Sequence, residues 1–221
     1  MTDFTVSRLN MVESQVRPNG ITDHRIIEAM AAVAREDFVP EPRKSIAYLD
    51  EDVLLKAGVA GQSRYLIEPM AFARMIQLAA IKPSDRVLVV GAGTGYGTKV
   101  ISWLARSIVG LESDTELAAS AKANTTDCNN VSIVTGELSL GHAASGPFDV
   151  IVIEGRIPEI PAILFEQLNN AGRVVAAVGV RDVSKITLAT LDDGHRSARS
   201  SFDVTIAQLP GFDTVKPSFV F

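Results

Sequence analysis

Arg86-Val87-Leu88-Val89-Val90-Gly91-Ala92-Gly93-Thr94-Gly95-Tyr96-Gly97 joins an unbroken apolar run to a cluster of glycines. A strand covered on both faces reads as a continuous apolar run, whereas one with a wet face alternates. Glycines at its end let the backbone turn tightly and bring a ligand up to the first turn of the next helix. That helix is expected over residues 96–105, with Val100, Ile101, Trp103 and Leu104 at helical spacing.

The same rhythm continues outward. Ser107-Ile108-Val109-Gly110-Leu111-Glu112, Val131-Ser132-Ile133-Val134-Thr135, Phe148-Asp149-Val150-Ile151-Val152-Ile153 and Arg173-Val174-Val175-Ala176-Ala177-Val178 read as four further strands. Between them, helices are expected over residues 114–124 and from Pro158 and Pro161 to about Asn169. Strands separated by helices need crossovers, and crossovers produce an α/β fold with a doubly wound, mostly parallel sheet. Ahead of this core the sequence predicts helices at 7–16, 22–34 and 70–80, with an irregular stretch over 37–69. Behind it, Ile186–Leu191 and Phe202–Ile206 flank Asp192-Asp193-Gly194, the signature of an antiparallel hairpin. The expected organisation is one domain over 1–221: a helical extension and substrate loop at 1–80, a cofactor-binding core at 81–180, and a hairpin with tail at 181–221.

Composition narrows the function. The 21 Lys and Arg against 26 Asp and Glu give a net charge of −5. Residues 1–80 hold 9 basic and 11 acidic side chains, so no basic half exists to track a phosphate backbone. No apolar run approaches the ~20 residues of a membrane span. The start, Met1-Thr2-Asp3-Phe4, has neither the basic nor the apolar region of a signal peptide, and a cytoplasmic protein is expected. The single cysteine, Cys128, excludes an internal disulfide and sits in a polar stretch without a neighbouring cation. His24, His142 and His195 lack ligand-spaced neighbours, so no metal site is expected.

The glycine spacing defines the ligand more closely. Tyr96 stands where the dinucleotide fingerprint wants Gly or Ala, which argues against a nicotinamide dehydrogenase. Glu112 ends the second strand 21 residues after Gly91, where an acidic side chain accepts both ribose hydroxyls. Glu137 ends the third strand, where an adenine edge would lie. Glu154 follows the fourth, either facing the ligand or pairing with Arg156. Together these positions suggest an adenosine-containing cofactor without a second nucleotide.

At several of its segments the chain resembles the protein-L-isoaspartate O-methyltransferases. The resemblance runs through Asn10-Met11-Val12-Glu13-Ser14-Gln15, Gly20-Ile21-Thr22-Asp23, Glu28-Ala29-Met30, Arg35-Glu36-Asp37-Phe38-Val39-Pro40 and Ala47-Tyr48-Leu49-Asp50. It continues in Phe148-Asp149-Val150-Ile151, Ile160-Pro161 and Gly172-Arg173-Val174-Val175, covering about residues 8–180. The resemblance implies a Rossmann-like class I methyltransferase fold. It also implies S-adenosylmethionine held at Gly91, Gly93, Gly95, Glu112, Glu137 and Leu138, and methylation of an isoaspartyl carboxylate in a damaged protein or peptide. The expected state is a monomer or homodimer.

Three segments depart from the family pattern. Val89 replaces an acidic residue two places before the first glycine, and Glu137-Leu138 replaces Asp-Gly. The substrate loop, Thr-Ile-Ser-x-Pro in the family, is here Gln62-Ser63-Arg64-Tyr65-Leu66-Ile67-Glu68-Pro69. Ser63, Arg64 and Tyr65 are the candidates for the methyl-acceptor site, with Arg64 as a cation for a substrate carboxylate. Residues 57–69 are expected to form a lid, given freedom by Gly58 and Gly61. Phe219 and Phe221 are expected to pin the C-terminal tail, on its own subunit or across a dimer. A methyltransferase with another substrate and a non-catalytic cofactor-binding module are the alternative functions these departures raise.

Overall fold

A computed structural model describes residues 3–59, 62–180 and 183–212. Five parallel strands form the centre: β3 (Arg86–Val90), β4 (Ser107–Glu112), β5 (Val131–Thr135), β6 (Phe148–Ile157) and β7 (Leu168–Val178). Two antiparallel strands, β8 (Ser184–Asp192) and β9 (His195–Val204), extend the sheet, whose order is β5-β4-β3-β6-β7-β8-β9. Alternation of side chains across the pleat divides β3 between two cores. Val87 and Val89 face one layer with helices α3 (Pro69–Ala79) and α4 (Tyr96–Ser102). Leu88 and Val90 face the other, with Leu164, Leu209 and Phe212. Helices α1 (Phe4–Met11) and α2 (His24–Ala32) cover the first layer, α2 capped by the Asp23 side chain on the Arg25 N–H. Helix α5 (Thr115–Asn124) starts at Asp114, which accepts from the Glu116 and Leu117 N–H groups.

The doubly wound sheet and the hairpin at Asp192-Asp193-Gly194 match the expectation; Asp193 and Gly194 take φ of 45° and 79°, a turn whose twist suits paired strands. Several boundaries differ. The first helix begins at Phe4, and Val12–Val16 continues it as a wider π-helical turn. The helix expected from Pro161 to Asn169 is only α6 (Ala162–Phe165). The Gln167 carbonyl accepts from the Phe148 N–H and its side-chain amide donates to the Leu140 and Ile163 carbonyls, so the chain returns to the sheet at Leu168. Strand β6 runs four residues beyond Ile153, to Ile157. The stretch 37–69, expected to be irregular, carries a two-stranded antiparallel sheet, β1 (Val53–Lys56) with β2 (Arg64–Leu66). Val53, Leu55 and Leu66 supply its buried face, a pattern too short to stand out beside Gly58 and Gly61. The tail candidates Phe219 and Phe221 lie outside the described residues, as does Gly61.

Candidate active site

The carboxyl ends of β3, β4 and β6 meet the glycine turn, the edge of an α/β sheet at which ligands bind. Gly91, Gly93 and Gly95 take φ of 83°, 56° and 96°, which side chains with a Cβ rarely adopt. The Gly91 and Ala92 N–H groups donate to the Leu111 carbonyl, tying the turn to β4. Glu112 follows directly and is fully buried. Its Oε2 accepts from the Gly93 N–H at 2.7 Å, and its Oε1 accepts from the Ser113 and Asp114 N–H groups at 2.8 and 3.0 Å. A carboxylate can stay ionised when buried if several N–H groups point at it.

A further donor reaches the same carboxylate. Arg64, on β2, donates from Nη1 to Glu112 Oε1 at 2.5 Å and from Nη2 to the Gly91 carbonyl at 3.1 Å. The side chains of this pair are 6% and 0% exposed. Lys56 anchors the small sheet from the other end, with its ammonium 2.6 Å from Asp114 and 2.8 Å from Glu116 at the start of α5. Arg64 therefore does not present a free cation to an acceptor, which corrects the role expected for it as a partner of a substrate carboxylate. Its neighbours lie differently. The Ser63 hydroxyl accepts from the Gly58 N–H, and Tyr65, half-buried, pairs across to Leu54.

The chain after β9 closes the remaining side. The Leu209 N–H donates to the Arg156 carbonyl, and the Arg156 N–H to the Ala207 carbonyl. This lays Leu209 over the glycine turn: a Cβ built on Gly91 would come 2.8 Å from Leu209 Cδ1 and 3.2 Å from Arg64 Nη2. Leu55 Cδ1 stands 3.0 Å from the equivalent point on Gly93. The cavity left among Asp52, Ser63, Arg64, Glu154, Gly155 and Leu209 has a volume of ≈ 10 Å³, about that of one water probe. Asp52 stitches the cap together, accepting from the Glu68 and Ala207 N–H groups, and burial raises its pKa.

Glu154 points inward beneath the turn rather than to Arg156, which donates instead to the Ile206 and Gly179 carbonyls. Its Oε1 has no hydrogen-bond partner among the described residues, and burial pushes its pKa up to about 8. The carboxyl occupies the space a Cβ on Gly97 would need. Beside it, Arg35 is fully buried, donating to the Ala47 and Ile67 carbonyls with its guanidinium 4.9 Å from the centre of the Tyr96 ring. Val89 is buried in the sheet. Glu137 is exposed and accepts from the Ser139 hydroxyl, while Leu138 is buried. The spacing of glycines and acids pointed to Glu112. Leu55 and Leu209 were missed, because an apolar residue far away in sequence carries no local sign that it will cover a glycine turn.

A glycine turn, a buried carboxylate at the end of the second core strand and this strand order define a nucleoside-binding α/β fold of the methyltransferase type. The family model described as protein-L-isoaspartate(D-aspartate) O-methyltransferase matches residues 7–209, and the chain belongs to that family. Among curated relatives, the protein-L-isoaspartate O-methyltransferase of Koribacter versatilis is 33% identical over 220 residues, spanning 99% of this chain and 97% of the relative. That of Methanoregula boonei is 36% identical over 187 residues, 84% of each chain. Solved structures share the fold. One protein-L-isoaspartate O-methyltransferase superposes with a TM-score of 0.82 at 22% identity, over 93% of this chain and 67% of its own. A Plasmodium falciparum protein, provisionally described as the same enzyme and bound to S-adenosyl-L-homocysteine, gives 0.75 at 21% identity over 96% and 100%.

Proposed function

We propose that this protein is an S-adenosylmethionine-dependent carboxyl methyltransferase acting on isoaspartyl residues of damaged proteins. The observation that carries this reading is the family match along nearly the whole chain, residues 7–209. The chemistry agrees with it. An acceptor carboxylate is already ionised at pH 7, so methyl transfer to it needs positioning and exclusion of water more than a general base. On this reading Gly91, Gly93, Gly95, Glu112, Glu137 and Leu138 hold the cofactor, and Ser63 and Tyr65 border the acceptor. The partners are damaged protein or peptide chains in the cytoplasm, in keeping with the single cysteine and the net charge of −5. No helix among the described residues is long and apolar enough to cross a membrane.

In the conformation described, Arg64, Leu209 and Leu55 pack against the glycine turn, and Glu112 is engaged by Arg64 and three backbone N–H groups. Activity is tested by incubating the protein with methyl-labelled S-adenosylmethionine and a synthetic isoaspartyl peptide, beside its normal aspartyl twin. Base-labile label on the isoaspartyl peptide alone supports the proposal. Absence of label on both overturns it.

A further inference from the structure

We propose that the Arg64–Glu112 pair is an autoinhibitory latch: the Arg64 side chain and the cofactor nucleoside compete for one carboxylate and one volume. This inference rests on the S-adenosylmethionine reading above and adds a closed resting state to it. A ribose diol would donate to a carboxylate at the end of β4, and there Oε1 of Glu112 already accepts from Arg64, Ser113 and Asp114. The guanidinium also caps the Gly91 carbonyl, so its two contacts lie on the glycine turn and at the adjoining end of β4. Leu209 closes the same turn from the C-terminal side, packing over Gly91 and Gly155.

Both parts of the latch sit on segments peripheral to the seven-stranded sheet, tied to it by Lys56 on Asp114 and Glu116 and by the Leu209 N–H on the Arg156 carbonyl. Arg64 belongs to β2, three residues long, whose only sheet partner among the described residues is the four-residue β1, with a register irregularity between Leu54 and Lys56. Leu209 follows β9 and is held by an isolated bridge between Arg156 and Gln208. Neither element is part of the seven-stranded sheet that fixes Glu112 and the glycines. Short peripheral elements open at lower free energy than a central sheet, so the cap can move while the site beneath it stays formed. A ligand that binds only the open state has its apparent affinity reduced by the fraction of open molecules.

The glycine turn does not need Arg64 to keep its carboxylate ionised. Without the guanidinium, Glu112 retains the N–H groups of Gly93, Ser113 and Asp114. Removal of Arg64 should therefore free the site without dismantling it.

The test is calorimetric titration of the full-length protein, Arg64→Met and Leu209→Ala with S-adenosylhomocysteine, each first checked for a cooperative melting transition. Leu209→Ala thins the cap without touching the ion pair, and it carries the test if Arg64→Met does not fold. The latch predicts that the folded variants bind about tenfold or more tightly than the parent. Equal affinity in parent and variants overturns the latch and leaves the methyltransferase reading standing. No binding by the parent or any folded variant overturns the cofactor reading, and the latch with it.

Discussion

Arg64 Nη1 lies 2.5 Å from Glu112 Oε1, and the two side chains depend on each other unequally. Among the described residues, Glu112 has three backbone N–H donors besides Arg64, whereas the Arg64 guanidinium has one other acceptor, the Gly91 carbonyl. Removing one partner of a buried pair is costly in proportion to what the other is left without.

Glu112→Ala is therefore expected to lose about 3–5 kcal/mol of stability, since it leaves a buried guanidinium uncompensated. Arg64→Met should lose less than about 2 kcal/mol, because the carboxylate keeps its backbone donors. Urea unfolding of both variants, compared at their midpoints with unchanged slope, measures the difference. Equal losses would show that the two side chains depend on each other symmetrically.

Glu154 gives the protein a pH dependence of defined sign. Burial raises its pKa from 4.5 to about 8 in the folded state, so folding favours the protonated form. The stability this provides is complete below about pH 4.5 and is lost as pH rises through about 8, amounting to at most about 5 kcal/mol. Glu154→Gln removes the titration. The difference in melting temperature between variant and parent should move in the variant's favour from pH 5 to pH 8.5; a difference that stays constant contradicts the assignment.

Gly97 and Glu154 share one space, since the carboxyl sits where a Cβ on Gly97 would be. Gly97→Ala should destabilise by about 1–3 kcal/mol, the usual cost of overpacking, even though alanine is the better helix former. Gly97→Ala combined with Glu154→Ala should recover most of the loss. A double-mutant cycle with no coupling would separate the two residues.

The parts of the fold with strong periodicity were legible in the sequence. Residues 86–90, 107–112 and 131–135 are strands as read, because buried parallel strands leave unbroken apolar runs. The position of Glu112 against the glycine turn was legible as well, from its distance to Gly91. The helix expected up to Asn169 failed because one side chain, Gln167, returns the chain to the sheet through contacts with Leu140 and Ile163. Strands β1 and β2 were hidden by their length. Arg64 was marked as a site residue, but its partner was read as a substrate carboxylate when it is Glu112, 48 residues away. Leu209 left no trace in sequence, since only the assembled sheet brings the segment after β9 across Gly91 and Gly155.

Initial rates of methyl ester formation show whether this methyltransferase is restrained by its own arginine. Parent and Arg64→Met are compared on an isoaspartyl peptide over a range of S-adenosylmethionine concentrations. The variant should be faster at low cofactor and the two rates should converge at saturation, a change in KM for the cofactor with kcat held. An unchanged KM, or a variant slower at every concentration, would contradict it.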